Sequence, residues 1–245
     1  MEVFYNAAPL AARIAAFRKE GKSIGFVPTM GALHEGHLSL VRFSRQQNDV
    51  TVVSIFVNPT QFNDKSDLER YPRMPEKDST LLEHAGCDIL FMPDVDEVYP
   101  EPDTRVFDFG GLDQVMEGKH RPGHFNGVAQ VVTRLFDMVK PHRAYFGLKD
   151  FQQLAIIRKV MSDLQYPVEI VSCPIVRECD GLAMSSRNML LSAEERKRAL
   201  VLSQSLFQAK DRMKQGLSVV AVKKFVEDQV HDAEGVDLEY FEIID

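Results

Sequence analysis

Short apolar runs alternate with helix-like segments through the first 174 residues of the chain. Runs typical of buried strands cover residues 23–27, 50–56, 88–92 and 143–146. Between the last two, apolar residues recur at helical spacing over residues 126–139, and a proline follows as a stop signal. Such alternation is typical of a parallel sheet with crossover helices. The pattern therefore predicts an α/β fold in which a Rossmann-like parallel sheet is flanked by helices.

The pattern changes beyond residue 174. Strand-like residues surround Val176, and a capping box at residues 192–195 opens a long helix that runs to about residue 215. A second helix over residues 218–231 and a strand-like segment over residues 238–244 follow. We therefore predict two domains: a Rossmann-like ligand-binding domain over residues 1–174 and a small α+β lid domain over residues 175–245.

Composition narrows the class of protein. The 245 residues are 44% hydrophobic and 27% charged, and no run of eighteen apolar residues occurs, so we expect no membrane span. The first residues lack the pattern of a secretory signal, and three cysteines without pairing spacing fit a reducing compartment, so we expect a cytoplasmic protein. A net charge of -7 gives no general attraction for nucleic acid and favours small phosphorylated ligands.

The most informative segment, residues 28–37, reads as the end of a strand, a glycine turn and the start of a helix. A helix N-terminus presents unpaired backbone N–H groups and a positive dipole end, which together bind phosphate. Gly31 and Gly36 allow close backbone approach to a ligand. His34 and His37 share one face of the first turn and can each donate to phosphate oxygens. The segment predicts a nucleoside triphosphate site.

Two other interpretations of the histidine pair are open. A zinc site would need two more ligands, and Cys87, Cys173 and Cys179 form no pair at finger spacing. Simple capping of the helix by His34 or His37 is the second alternative. Phosphate binding is favoured over both.

Polar residues also follow two other predicted strands. Asn58 and Gln61 lie in a turn after residues 50–56, where they suit a hydroxylated acid or form only an Asn-Pro turn. Lys149 offers a point charge for phosphate, and Asp150 can accept from a ribose hydroxyl, cap the following helix, or do both. Ligands bind beyond the carboxyl ends of parallel strands, so we expect these groups to converge.

Two further segments are ambiguous by themselves. The basic, glycine-bearing residues 118–125 are interpreted equally well as a phosphate lid or as a solvated charge run. Residues 184–188, Met-Ser-Ser-Arg-Asn, could form a compact anion receptor on a loop between the two domains.

Together these segments resemble the pantothenate synthetase (pantoate–β-alanine ligase) family, in order and over nearly the whole chain. The matching segments are PTMGALHEGH (28–37), FVNPTQF (56–62), RYPR (70–73), RPGHFNGV (121–128), YFGLKDFQQ (145–153) and MSSRN (184–188). The His-x-Gly-His element alone is similar to a wider superfamily of nucleotidyl transferases and class I aminoacyl-tRNA synthetases. The combination of motifs is far more specific.

The resemblance implies a cytoplasmic, AMP-forming ligase of pantothenate and coenzyme A biosynthesis. Pantoate would attack the α-phosphate of Mg-ATP to give pantoyl adenylate and pyrophosphate, and β-alanine would then displace AMP. The family also implies a homodimer formed through the N-terminal domain. Family members commonly continue past the strand equivalent to residues 238–244, so we expect the small domain to be shorter than usual.

The resemblance further implies roles for individual residues. His37 is implied to be an acid/base group, Gln61 to bind pantoate and β-alanine, and Gln153 to bind pantoate, while Asn58 is similar to a residue of the substrate pocket. The residues implied to bind ATP are Met30, Gly31, Ala32, Leu33, His34, Glu35, Gly36, His37, Gly147, Leu148, Lys149, Asp150, Val176, Met184, Ser185, Ser186 and Arg187. The sequence shows no dedicated carboxylate cage for Mg²⁺.

Elementary chemistry refines the roles of the histidines. A carboxyl group with a pKa of about 4 is already ionised at pH 7, so its attack on phosphorus needs no base. We therefore expect the catalytic residues His34, His37, Lys149 and Arg187 to act mainly by stabilising charge on the triphosphate.

Three alternative functions fit parts of the sequence. The first alternative is an adenylyl transferase that acts on another acceptor. The segment FVNPTQF and the paired glutamines Gln152 and Gln153 argue against it. An RNA-binding module is disfavoured by the acidic charge and by the absence of tryptophan and of an aromatic-basic platform. A silent nucleotide sensor would require broken motifs, and the matched positions are intact.

Overall fold

The structure, a computed structural model, describes residues 1–244, which divide into two compact units, residues 1–175 and the residues from Val176 onward. The first unit contains a six-stranded, wholly parallel sheet with the order β1-β4-β3-β2-β5-β6. Its strands are β1 (Glu2–Phe4), β2 (Ile24–Thr29), β3 (Val50–Ile55), β4 (Ile89–Phe91), β5 (Arg143–Gly147) and β6 (Glu169–Cys173). The predicted α/β fold with a parallel sheet is confirmed.

Eight helices accompany this sheet in the described part of the first unit. They are α1 (Ala7–Lys19), α2 (Glu35–Gln47), α3 (Lys65–Arg70), α4 (Pro75–His84), α5 (Val95–Val98), α6 (Met116–His120), α7 (His124–Val139) and α8 (Phe151–Asp163). Short 3₁₀ turns follow β3 at Pro59–Gln61 and β5 at Leu148–Asp150. Among the helices of residues 1–244, none combines the length and the hydrophobicity that a membrane-spanning segment requires.

Both faces of the sheet are buried, which explains why its central strands read as apolar runs. Side chains alternate between two cores: Ile24 and Phe26 of β2 point to one, and Val27 points to the other. Helix α7 packs on the first core and is buried nearly all round, so it shows a strong helical pattern and contains Phe136 at zero exposure. The predicted helix over residues 126–139 corresponds to α7.

The strand order creates a switch point. From β2 the chain moves outward through β3 and β4, and it then returns to form β5 on the other side of β2. Ligands of open α/β sheets bind in the crevice beyond the carboxyl ends of the strands at such a point. The crevice here is bordered by the residues that follow Thr29 and Gly147.

Helix α2 lies unusually close to β2, because Gly25 has no side chain. A Cβ atom at Gly25 would overlap Oγ of Ser44 and lie 2.5 Å from Nδ2 of Asn48. Both neighbours belong to a buried polar network, in which Ser44 bonds to Thr51 at 2.8 Å and Asn48 donates to the hydroxyl of Tyr145 at 2.7 Å. The glycine therefore fixes the approach of the helix that begins at the histidine pair.

The second unit is described by itself. It contains α9 (Ala193–Arg198), α10 (Leu200–Lys214) and α11 (Val219–His231), a 3₁₀ turn at Ser186–Leu190 and one isolated antiparallel bridge between Arg177 and Ala183. The capping box forms as predicted, with Ser192 Oγ accepting from the N–H of Glu195 at 3.3 Å and the Glu195 carboxylate accepting from the N–H of Ser192 at 2.8 Å. The predicted long helix is divided at Ala199.

The strand predicted over residues 238–244 does not form in the described residues, and the extended structure that this unit shows is the bridge between Arg177 and Ala183. Residues 238–244 have no strand partner within residues 1–244. Their apolar side chains are covered in another way, because Leu238, Phe241 and Ile243 pack against the small core that Ala209 and α11 form. Apolar residues in an extended segment indicate contact with a core, and a helix surface provides that contact as well as a neighbouring strand does.

We expect Gly25→Ala to destabilise the protein by about 1–3 kcal/mol, because the added methyl group must displace Ser44 or Asn48 in a tightly packed region. Urea unfolding followed by circular dichroism measures this change. Gly147→Ala is the matched control, since the nearest atom to its added Cβ lies 3.9 Å away. Equal unfolding midpoints for the two variants would contradict the close-packing argument.

Candidate active site

The turn after β2 has an uncommon backbone conformation. Gly31 and Ala32 are both left-handed, with φ of 81° and 49°, and the second is a conformation that residues with a side chain rarely adopt. The carboxylate of Asp78, 1% exposed, accepts from the N–H groups of Ala32 at 2.8 Å and Leu33 at 2.7 Å. Asp78 therefore holds the turn from behind, a role that the sequence analysis did not find.

Most backbone N–H groups of this turn already have acceptors within the protein. Gly31 donates to Oγ1 of Thr29 at 3.2 Å, Ala32 and Leu33 donate to Asp78, and Gly36 donates to Nδ1 of His34 at 3.1 Å. This differs from the expectation that unpaired amides of the turn would hold phosphate. Side chains are therefore the main groups here that can reach a ligand.

The two histidines form a capping box at the start of α2. Nδ1 of His34 accepts from Gly36, and Nδ1 of His37 lies 3.4 Å from the N–H of His34. A neutral imidazole that accepts at Nδ1 carries its hydrogen on Nε2. The hydrogen bonds thus assign the Nε2–H tautomer to both rings, whose centres are 4.1 Å apart. Capping and ligand binding are compatible, since each uses a different ring nitrogen.

The electrostatic surroundings keep both rings neutral. Burial lowers the pKa of His37 to about 3, and the nearby charges of His34 and Lys149 act in the same direction. Burial also lowers the pKa of His34, with a smaller contribution from Lys149. At pH 7 the pair therefore offers two uncharged N–H donors.

Lys149 supplies the positive charge at this edge of the sheet. It lies in the 3₁₀ turn after β5, where its Nζ is 3.2 Å from Oδ1 of Asp150 and its side chain is 40% exposed. Asp150 makes no side-chain capping bond to α8, so the capping interpretation of this residue is not supported. Both side chains face solvent and can move to a ligand.

The turn after β3 joins the same site. Gln61 donates from Nε2 to the sulfur of Met30 at 3.2 Å, which connects this turn to the one after β2. Asn58 is 1% exposed and donates to Oε1 of Gln61 at 3.1 Å. The structure therefore brings together the residues predicted after β2, β3 and β5 within the first unit.

The basic segment over residues 118–125 spans the end of α6 and the start of α7, and its possible role as a phosphate lid stays a prediction. Part of it is α6, and Gly123 in a left-handed conformation begins α7. His124 Nδ1 lies 2.8 Å from the carbonyl oxygen of Gln61, and Arg121 donates to the same oxygen at 3.4 Å. These two contacts stabilise the turn after β3 that contains Gln61.

The adjacent glutamines of α8 are in different environments. Gln152 is buried and donates to the carbonyl oxygens of Leu112 at 2.6 Å and Val115 at 2.8 Å, so it holds the loop that precedes α6. Gln153 is half-buried. Gln152 is therefore structural, and Gln153 is the one of the two available to a ligand.

The remaining predicted residues belong to the second unit. Met184 donates its N–H to the carbonyl oxygen of Val176 at 3.1 Å, and Oγ of Ser185 accepts from the N–H of Arg187 at 3.3 Å, while Ser186 is buried. Val176 and Met184 to Arg187 thus lie close together within this unit.

A metal site is not evident from the side chains. Among residues 1–244, no group of three His, Cys, Asp or Glu side chains is arranged to hold a metal ion. The histidine pair therefore gains no third ligand within that range.

Comparisons with known proteins agree on one family. The family model described as Pantoate-beta-alanine ligase matches residues 2–245. A pantothenate synthetase of Bacteroides fragilis is 57% identical over 245 residues, covering 100% of this chain and 86% of the relative. One of Acetivibrio thermocellus is 51% identical, covering 100% of this chain and 87% of the relative.

Solved structures give the same result. A pantothenate synthetase from Thermus thermophilus superposes with a TM-score of 0.92 at 47% identity, covering 98% of this chain and 86% of that one. A pantoate-beta-alanine ligase from Francisella tularensis, complexed with beta-gamma ATP and beta-alanine, has a TM-score of 0.84 at 35% identity and covers 94% of this chain and 86% of that one.

The low pKa of His37 predicts a pH dependence of stability. The folded protein keeps His37 neutral down to about pH 3, whereas the unfolded chain binds a proton near pH 6.5. Stability should therefore be complete above pH 6.5 and fall as the pH decreases toward 3, by up to about 1.4 kcal/mol per pH unit from this residue. His37→Asn should flatten the acid-side slope in urea unfolding, while the exposed His84→Asn should leave it unchanged. If the free energy of unfolding of His37→Asn fell with decreasing pH as steeply as that of the wild type, the low pKa of His37 would be wrong.

Asp78→Asn is expected to loosen the turn after β2. The amide offers only one acceptor oxygen, so one of the two N–H groups of Ala32 and Leu33 would face an NH₂ group instead. We expect amide hydrogen exchange at both residues to accelerate about tenfold or more, in line with the loss of one hydrogen bond to a charged group. Exchange rates equal to those of the wild type would show that the turn holds its conformation without Asp78.

Proposed function

The chain belongs to the pantoate-beta-alanine ligase family, and on that premise we propose that it joins pantoate to β-alanine with ATP through a pantoyl-adenylate intermediate. AMP and pyrophosphate are the other products. The observation that carries this proposal is the convergence, at the switch point of the sheet, of two neutral imidazole donors, a mobile lysine and the amide of Gln61.

ATP occupies the β2–β5 side of the crevice in this proposal. The Francisella tularensis relative is complexed with beta-gamma ATP and beta-alanine, which supports the binding of a nucleotide and of β-alanine by members of this family. Residues 30–37 and Gly147 to Asp150 contact the nucleotide, with Nε2–H of His34 and His37 donating to phosphate oxygens. The family resemblance also assigns Val176 and Met184 to Arg187, which belong to the second unit, to ATP binding.

In the first step a carboxylate oxygen of pantoate attacks the α-phosphorus, and the bond from that phosphorus to the pyrophosphate oxygen breaks. Pantoate is already ionised at pH 7, so no proton has to be removed. The charge that develops on the phosphate oxygens is stabilised by the N–H groups of His34 and His37 and by the cation Lys149. The family resemblance implies the same role for Arg187 of the second unit. A Mg²⁺ ion bound to ATP would neutralise part of the charge of the triphosphate, and we assign no side chain of this chain to hold it.

In the second step the amine of β-alanine attacks the acyl carbon, the bond from that carbon to the phosphate oxygen of AMP breaks, and the proton lost by the amine passes to the released AMP or to water. His37 is poorly suited to accept that proton, because Nδ1 faces the backbone of His34 and Nε2 already carries a hydrogen. We therefore assign His37 to hydrogen-bond donation rather than to the acid/base role that the family resemblance implies. Gln61 and Gln153 bind pantoate, Gln61 also lies near β-alanine, and Asn58 belongs to the same pocket.

Two statements stay predictions from the sequence and the resemblance. They are the cytoplasmic location and a homodimer formed through the first unit.

The proposal is tested by mixing the protein with Mg-ATP and pantoate and measuring pyrophosphate and AMP with and without β-alanine. We expect pyrophosphate to depend on pantoate, and AMP to turn over only when β-alanine is added. Pyrophosphate release that ignores pantoate would favour an adenylyl transferase with another acceptor. RNA binding that weakens steeply with salt, without any ligase activity, would favour the RNA-binding alternative.

Replacing His37 separates donation from acid/base catalysis. We expect His37→Ala to slow adenylate formation in a single turnover by roughly a hundredfold or more, the usual effect of losing one positioned donor. His37→Gln keeps a side-chain N–H and should recover at least about tenfold of that loss. The exposed His231→Ala is the control and should match the wild type. If Gln were as slow as Ala, the donor role would be ruled out.

A further inference from the structure

The hydrogen bonds around Asn58 leave one orientation for its amide. Oδ1 of Asn58 accepts from the hydroxyl of Tyr99 at 2.9 Å and from the hydroxyl and N–H of Thr60 at 3.1 and 3.4 Å. Nδ2 donates to the carbonyl oxygen of Gly127 at 3.1 Å and to Oε1 of Gln61 at 3.1 Å. A flipped amide would place Oδ1 against the Gly127 oxygen and Nδ2 against the N–H of Thr60. Both contacts would be repulsive.

The orientation of Asn58 fixes that of Gln61 in turn. Because Nδ2 of Asn58 can only donate, it requires Oε1 of Gln61 as its acceptor. Nε2 of Gln61 must then point away from Asn58, where the sulfur of Met30 at 3.2 Å is its only acceptor among residues 1–244. A thioether is a weak acceptor, and the amide has two hydrogens. The N–H groups of Gln61 therefore face the site and can still donate strong hydrogen bonds to a ligand.

Tyr99 is held firmly enough to keep Asn58 in this orientation. It follows α5, its ring centre is 6.2 Å from that of Phe56, and the guanidinium of Arg134 lies 5.0 Å over its face. Arg134 is itself fixed by Asp103 at 2.7 Å, whose side chain is 2% exposed. Burial raises the pKa of the Tyr99 hydroxyl, so it stays protonated and remains a donor.

We propose that Tyr99 is a positioning residue that, through Asn58, holds the Gln61 amide with its N–H groups toward the acid substrate. The site would then select an oxygen acceptor, such as a carboxylate or hydroxyl oxygen of pantoate, at that position. Asn58 acts from behind the pocket, because its own donors and acceptor are used within the protein. This inference rests on the proposed function, since it names the group that recognises the acid.

Tyr99→Phe tests the proposal, because it removes one oxygen atom and keeps the ring. Steady-state pyrophosphate release is measured against pantoate and against ATP. We expect the KM for pantoate to rise about tenfold, while kcat and the KM for ATP stay within twofold of the wild type. Tyr166→Phe is the matched control, because it removes a hydroxyl that donates to Asp137 at 3.2 Å outside this network. That variant should match the wild type in all three values.

A double-mutant cycle with Gln61→Ala distinguishes positioning from general loosening. If Tyr99 acts through Gln61, adding Tyr99→Phe to Gln61→Ala should change the KM for pantoate less than twofold. If thermal unfolding shows that Tyr99→Phe is poorly folded, Thr60→Val removes the other hydroxyl from Oδ1 of Asn58 and should raise the same KM about threefold.

The outcomes separate the inference from the function on which it rests. A wild-type protein without pantoate-dependent pyrophosphate would overturn the proposed function. An active wild type with an unchanged KM in Tyr99→Phe and Thr60→Val, or with effects that multiply in the cycle, would overturn the role of Tyr99 alone.

Discussion

The site depends on one buried interaction, in which the Asp78 carboxylate accepts hydrogen bonds from two backbone N–H groups of the turn after β2. That turn passes through two consecutive left-handed residues, Gly31 and Ala32, and the second conformation is costly for a residue with a side chain. Charge-assisted bonds to a carboxylate are among the strongest available in a protein and offset that cost. The direction in which α2 begins, and hence the position of both imidazoles, follows from this contact together with the close packing at Gly25.

The parts of the fold that could be predicted are those whose signal is local in the chain. The central strands β2, β3 and β5 are buried on both faces and read directly as apolar runs, and α7 shows its period because nearly every face is buried. Strand β6 was not predicted, because its residues alternate only weakly between exposed and half-buried positions. The strand that did not form over residues 238–244 shows that apolar residues indicate contact with a core without identifying the partner that provides it.

In the candidate site, too, local features could be predicted and long-range contacts could not. Residues proposed to touch a ligand lie in compact motifs after strands, and the sequence placed them at one edge of the sheet. The residues that hold them, Asp78 and Tyr99, act across separations of 46 and 41 positions. Asp78 resembles any acid in the first turn of a helix and Tyr99 resembles any core aromatic residue. Their hydrogen bonds to the turns after β2 and β3 become visible only in the folded structure.

In the site, different side chains supply the positive charge and the fixed hydrogen-bond donors. His34 and His37 are short, half-buried and neutral, so they can fix donor positions without the large cost of desolvating a cation. Lys149 is long and exposed, so it can supply positive charge without being desolvated before a ligand arrives. In the function proposed above, bound phosphate would raise the pKa of His37 by attraction, which opposes the lowering that burial causes. The two rings would then fix where the anion binds, and Lys149 would supply the charge that meets it.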